Sequence, residues 1–197
     1  MENITRMKNA LETFMKTATA TFDEMERADK VYQAEPARNE KTRLYEALRE
    51  KKTNALNEIE AATAAGKEKA ETWARLDGAK ITPDAELLKV YISPEQFDEL
   101  AKRYKSNATM IHLLAQYGKE QNEKNGVTAW NNNEKRYNVE ALPSLEKKTR
   151  AYDAYHDWAV RLISSLFDNP KLPIVRGDVE RFGVYMPGDT PLLDEIR

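Results

Sequence analysis

Residues 4–35 read ITRMKNALETFMKTATATFDEMERADKVYQAE, and residues 37–76 read ARNEKTRLYEALREKKTNALNEIEAATAAGKEKAETWARL, with Pro36 between them. These two runs decide the fold. In the first, Ile4, Leu11, Ala18, Met25 and Tyr32 recur every seven residues, and Met7, Phe14, Thr21 and Ala28 recur at the same interval three places later. Alternating steps of three and four put both series on one stripe of an α-helix. In the second run, Tyr45, Lys52, Ile59, Gly66 and Trp73 form one series, and Leu48, Ala55, Ala62, Lys69 and Leu76 the other. Leu44, Leu56 and Ala70 widen that stripe. Pro36 lacks an amide hydrogen and disfavours helix at Glu35, so the first arm is expected to stop there and the second to start near Ala37. Asp77-Gly78 supplies the second stop, because glycine accepts the left-handed conformation that ends many helices. The linker is short, so the arms are expected to lie antiparallel, each on the order of 50 Å long at about 1.5 Å per residue. The expectation is an all-α protein organised on a long antiparallel coiled-coil hairpin over residues 1–78.

Such a stripe fits either the ordinary core of a helical domain or an elongated rod that pairs with a second copy or a partner. The second arm leans towards the rod, because its seam is weak. Lys52, Gly66 and Lys69 fall on it, and Ala55 and Ala62 are small. Helices take most of their stability from packing, so this seam needs cover from the C-terminal helix, another subunit, or both. Phe14, Met25, Tyr45, Ile59 and Trp73 are the expected seam contacts.

Beyond the hairpin, residues 79–125 read as a short helical module. Thr82-Pro83 reads as a cap followed by proline at the first helical position, and Leu87, Leu88, Val90, Tyr91 and Ile92 can anchor a connector, helical or extended. Ser93-Pro94-Glu95-Gln96 is a capping box with proline in the first turn. Ser106-Asn107 reads as a break with a fresh cap or as the polar face of a continuing helix, and two helices, about 94–105 and 108–124, folded against each other are the expectation. Asn125-Gly126 and Asn131-Asn132-Asn133 then mark a polar break in which Trp130 stands out, either as a contact residue or tucked onto the body. Pro143-Ser144 opens a last long helix, part of a segment set at 139–168. Leu145, Tyr152, Ala159 and Leu166 recur there by seven, as do Lys148, Tyr155 and Leu162. Its aromatic face, with Tyr152, Tyr155 and Trp158 as packing anchors, is the candidate cover for the weak seam. Residues 169–197 hold Pro170, Pro173, Pro187 and Pro191 and read as an extended, partly ordered tail. Ile174, Val175, Phe182, Val184, Tyr185, Met186, Leu192 and Leu193 make it too apolar for a pure linker, so it is expected to pack on its own chain or a neighbour.

Composition narrows the function classes. The chain has 197 residues, 33 acidic against 31 basic, interspersed as on solvated helix faces, so net charge gives no reason to expect nucleic acid as a partner. There is no cysteine, which excludes disulfide and thiol chemistry. The start, Met1-Glu2-Asn3-Ile4, has no apolar signal core, and the apolar clusters are too short to span a bilayer. A soluble, cytoplasmic protein without a membrane partner is the expectation.

The search for chemistry is mostly negative. No phosphate-binding loop, dinucleotide glycine motif or nucleophile elbow is present, and no cofactor is expected. His112 lies in an apolar stretch and reads as structural or partly buried. Asp153, His156 and Asp157 share a helix face, a pattern that can raise a histidine pKa or help hold a metal, but that is common on helix surfaces. The chain is therefore read as a non-enzyme.

Residues 92–110, ISPEQFDELAKRYKSNATM, continuing to Ala115-Gln116-Tyr117, resemble segments of small helical proteins encoded in phage and prophage structural regions. The Ser-Pro-Glu cap, the turn at 104–110 and the Ala-Gln-Tyr end carry the likeness, over less than a quarter of the chain. The resemblance implies a non-enzymatic role, with capsid or other virion proteins as partners and, for a phage-encoded chain, the host cytoplasm or the virion as location. No functional residue carries over from it. The resulting expectation is a self-associating structural or virion-assembly protein. The alternative is an adaptor whose hairpin docks a helix of another protein.

Overall fold

The computed structural model describes residues 2–127 and 136–168. Trp130 and the tail expected over 169–197 lie outside them. Among the described residues the protein is all-α, with α1 at Glu2–Val31, α2 at Ala34–Ala74, α3 at Pro94–Arg103, α4 at Ala108–Lys124 and α5 at Leu145–Asp168. Three 3-10 segments, Gly78–Lys80, Pro83–Lys89 and Val139–Ala141, join them. The chain divides into two compact units, one formed by the described residues up to Lys67 with those from Thr149 onward, the other by Glu68–Lys148. Both divisions fall inside helices, α2 and α5.

The first unit contains the hairpin. Its break sits at Tyr32-Gln33, ahead of the expected Glu35–Pro36. Pro36 lies in the first turn of α2, where amide hydrogens have no intrahelical acceptor and a missing one costs nothing. The Gln33 carbonyl accepts the Ala37 amide at 3.0 Å and starts the new helix. The arms run antiparallel: Arg6 Nε donates to Glu58 Oε1 at 2.9 Å near one end, and Lys41 Nζ donates to Asp29 Oδ2 at 2.7 Å near the turn.

α5 covers the weak seam. Met7, Leu11, Phe14, Met15 and Ala18 of α1 form one core with Leu48, Ala55, Ile59 and Ala62 of α2 and Tyr152, Tyr155, Ala159, Ile163, Leu166 and Phe167 of α5. Gly66 is required by close approach. A Cβ there would run into the ring of Tyr152, so the bare backbone is the seat of that ring. Lys67 pairs with Asp153 one residue further on in each helix. At the other end the Phe167 ring lies 4.8 Å from that of Tyr45, with the Lys52 ammonium 4.4 Å from its centroid. α5 is thus antiparallel to α2 and runs towards the hairpin turn.

The heptad series holds along α1 and fails at the ends of α2. Buried on α1 are Asn3, Met7, Leu11, Phe14, Met15, Ala18 and Ala28, with Phe22 and Met25 half-buried. Buried on the α2 part of this unit are Ala37, Leu44, Leu48, Ala55, Ile59, Ala62, Thr63 and Gly66, with Lys41 and Lys52 half-buried. Tyr32, Lys69 and Leu76 of the heptad series are exposed, and Leu44 rather than Tyr45 faces in.

The second unit is built on local caps. Ser93 and Gln96 form the expected capping box around Pro94, and Asn107 Oδ1 accepts the Met110 amide at 3.2 Å to start α4. The open segment at 83–89 is 3-10 helix, and Thr82 bonds Tyr104 Oη at 3.0 Å instead of capping it. α2 has ended by Ala74, and Asp77 caps the next 3-10 turn; the left-handed glycine stop falls at Gly126, φ 61°, after α4. Phe97, Leu100, Ile111, Leu114, Tyr117, Tyr137, Leu142 and Ile92 form this unit's core. Gly118 lets α4 approach: a Cβ there would stand 2.6 Å from Val139 and 3.1 Å from Phe97.

Candidate interaction surfaces

The eight residues expected to make contacts divide sharply. Phe14 and Ile59 are sealed in the three-helix core, as are Tyr152 and Tyr155, so none of the four is open to a partner. Burial pushes the Tyr155 phenol far above its usual range, with the Glu12 carboxylate adding to the shift. Trp158 is half-buried, its ring tilted edge-on to Tyr155 at 5.7 Å. Trp73 belongs to the second unit. Its indole Nε1 donates to the Ser106 carbonyl at 3.1 Å and the Lys148 ammonium sits 4.8 Å from its ring. Met25 and Tyr45 lie at an open surface.

That surface is the turn end of the hairpin. Past Phe167 no described helix lies on the α1–α2 stripe, and a groove of about 840 Å³ opens there. Met25, Asp29 and Tyr32 line one side, and Ala37, Lys41 and Tyr45 stand among the α2 residues of the other. Tyr32 is 53% exposed and Val31 63%. Lys41 is engaged by Asp29, whereas Arg38 and Arg49 at the groove make no ion pair among the described residues.

A second apolar surface lies in the second unit. Among the described residues, Leu76, Ile81, Leu87, Val90 and Tyr91 are exposed large apolar side chains within sixteen positions of one another. The 3-10 geometry explains part of this. Residues three apart eclipse one another at three residues per turn, so Leu87 and the capping Val90 share an outer side while Leu88 turns to the core. Of the five residues expected to anchor the connector, only Leu88 and Ile92 do so. Tyr137, which sequence reasoning passed over, anchors it from the far side. Its hydroxyl donates to the Ile92 carbonyl at 2.5 Å, its ring meets Phe97 and Tyr117 edge-on, and burial pushes its phenol well above the usual range. The available signal was its spacing to Val139 and Leu142 after a polar run.

Asp153 pairs with Lys67, and His156 Nδ1 faces Asp157 Oδ1 at 3.1 Å. Among the described residues no three His, Cys, Asp or Glu side chains are placed to hold a metal ion. His112, expected to be structural or partly buried, is exposed on α4, since the buried side of the helix is taken by Ile111 and Leu114. No helix among the described residues is long and apolar enough to cross a membrane. Comparison of the chain with protein-family models, curated proteins and solved structures gives no match.

Proposed function

We propose that this chain is a non-enzymatic helical assembly protein that self-associates, of the structural or scaffolding kind found among phage virion-assembly proteins. The observation that supports the reading is the exposed apolar run from Leu76 to Tyr91, with Val90 59% and Tyr91 72% exposed, beside a well-filled core. Exposed apolar side chains gathered in one segment are what an interface uses and an isolated surface avoids. The hairpin seam, the earlier ground for self-association, no longer carries it, because α5 supplies the cover that seam needed. The phage setting rests on the likeness at residues 92–117 alone.

Sedimentation of the full chain across about 1–100 µM tests the reading, a range set by the ordinary affinity of transient interfaces. A dimer or larger species is expected, together with its weakening by roughly tenfold or more in the Leu87→Asp, Val90→Asp chain, about 1.4 kcal/mol. A monomer at every concentration overturns the proposal.

A further inference from the structure

We infer that the groove at the turn end of the hairpin is the seat of the chain's own C-terminal segment, within residues 170–197, folded back in the same molecule. The inference goes beyond the self-association reading and does not rest on it. It starts from the direction of α5. That helix runs antiparallel to α2 and fills the third position of the bundle from Tyr152, at Gly66, to Phe167, at Tyr45. It ends one residue later, at Asp168. Tyr45, the residue under Phe167, is itself part of the groove wall. The chain is therefore delivered to the mouth of the groove, heading along it.

Length and composition suit the fit. The groove's α2 side runs from Ala34 to Arg49, on the order of 20 Å at about 1.5 Å per residue. About seven extended residues cover that distance at roughly 3.3 Å each, and the chain after Asp168 has many more. That stretch carries Phe182, Val184, Tyr185 and Met186 in one cluster, side chains matched to a groove walled by Met25, Tyr32, Ala37 and Tyr45. Charge is nearly balanced over this segment, Asp178, Glu180, Asp189, Asp194 and Glu195 against Lys171, Arg176, Arg181 and Arg197, so the apolar side chains carry the fit. A second copy offers the same segment, but a short tether holds the intramolecular one at an effective concentration in the millimolar range. Seating within one molecule wins at ordinary protein concentrations.

The test uses the full chain with Tyr32 replaced by the photo-cross-linking residue p-benzoylphenylalanine, at an exposed position that leaves the core alone. After irradiation, cross-links are expected on peptides within 170–197, in a species of monomer mass, and lost in the Val184→Asp, Tyr185→Asp chain. Cross-links confined to α1, α2 or α5, tail cross-links found only in a dimer band, or tail cross-links that survive the double change each overturn the inference. Sedimentation of the same preparation separates this outcome from the assembly reading. A chain that never associates but cross-links to its own tail removes the assembly proposal and keeps this one; a dimer without tail cross-links does the reverse.

Discussion

The two halves of the hairpin differ in what covers them. From Met7 to Ala18 α1 turns in Met, Leu and Phe, α2 offers only Leu48 and Ile59 among Lys52, Ala55, Ala62, Thr63 and Gly66, and α5 closes over both with Tyr152, Tyr155, Ile163, Leu166 and Phe167. Towards the turn Met25, Ala28, Ala37 and Leu44 still turn in, with Lys41 half-buried beside them, and α5 ends at Asp168. Two helices facing each other leave each stripe partly wet, and a third completes the burial that large side chains need. Large apolar residues stand where α5 is present, and Tyr32 and Val31 are open where it has ended. Stability of the hairpin should therefore be concentrated in its covered half.

Two substitutions press on that contrast most strongly. Phe14→Ala removes a fully buried ring from the centre of the three-helix core, and a loss of about 3–5 kcal/mol is expected in urea unfolding followed by circular dichroism. Phe167→Ala acts at the border between the halves. It deletes the ring that rests on Tyr45 and under the Lys52 cation, and since Tyr45 is 37% exposed the loss should be smaller, about 2 kcal/mol. Equal losses at the two positions would show that the core continues undiminished to the turn.

What the sequence made legible follows from the range of the forces involved. The starts of α3, α4 and α5 were readable at Ser93, Asn107 and Ser144, because a cap is settled within four residues; Ser144 Oγ accepts the Lys147 amide at 3.2 Å. The hairpin itself was readable from two long apolar stripes. Pro36 marks its turn only to within a few residues, because proline stops a helix interior while the first helical turn tolerates it. The heptad holds on α1 as far as Ala28 and fails on α2 at Tyr45, Lys69 and Leu76, where burial depends on what lies alongside. Tyr45, Trp73 and Tyr137 depended on which distant segment came to lie beside them, and no local pattern encodes that. Leu87, Val90 and Tyr91 face out although they suit an anchor, because apolar character alone does not reveal which side of a 3-10 turn faces the core.

Gly66→Ala sharpens the comparison because two effects oppose each other at one atom. Alanine gains about 1 kcal/mol over glycine within a helix. Its methyl group, however, meets the Tyr152 ring, and overpacking of a core contact costs about 1–3 kcal/mol. With α5 seated, a net loss of about 1 kcal/mol is expected, reversed to a gain when Tyr152→Leu is added and the ring is gone. If Gly66→Ala alone stabilises the chain, α5 does not sit on α2 at this place, and the covered half loses its defining feature.

The smallest effects belong to the ion pairs, where the two halves should not differ. Arg6–Glu58 lies in the covered half and Lys41–Asp29 near the turn, yet all four side chains keep about half their exposure, from 41% to 54%. Water and salt screen such pairs alike, wherever the nearest core lies, so Arg6→Ala and Lys41→Ala are each expected to lose about 0.5 kcal/mol or less. The loss should fade towards zero near 1 M salt, where the screening length falls to about 3 Å. Lys41 also forms part of the groove wall. A loss there well above that at Arg6, and persisting in high salt, would mean that the pair is screened from solvent by something lying over the groove. The turn end would then be covered in solution, and the contrast between the halves would hold for the described helices rather than for the whole chain.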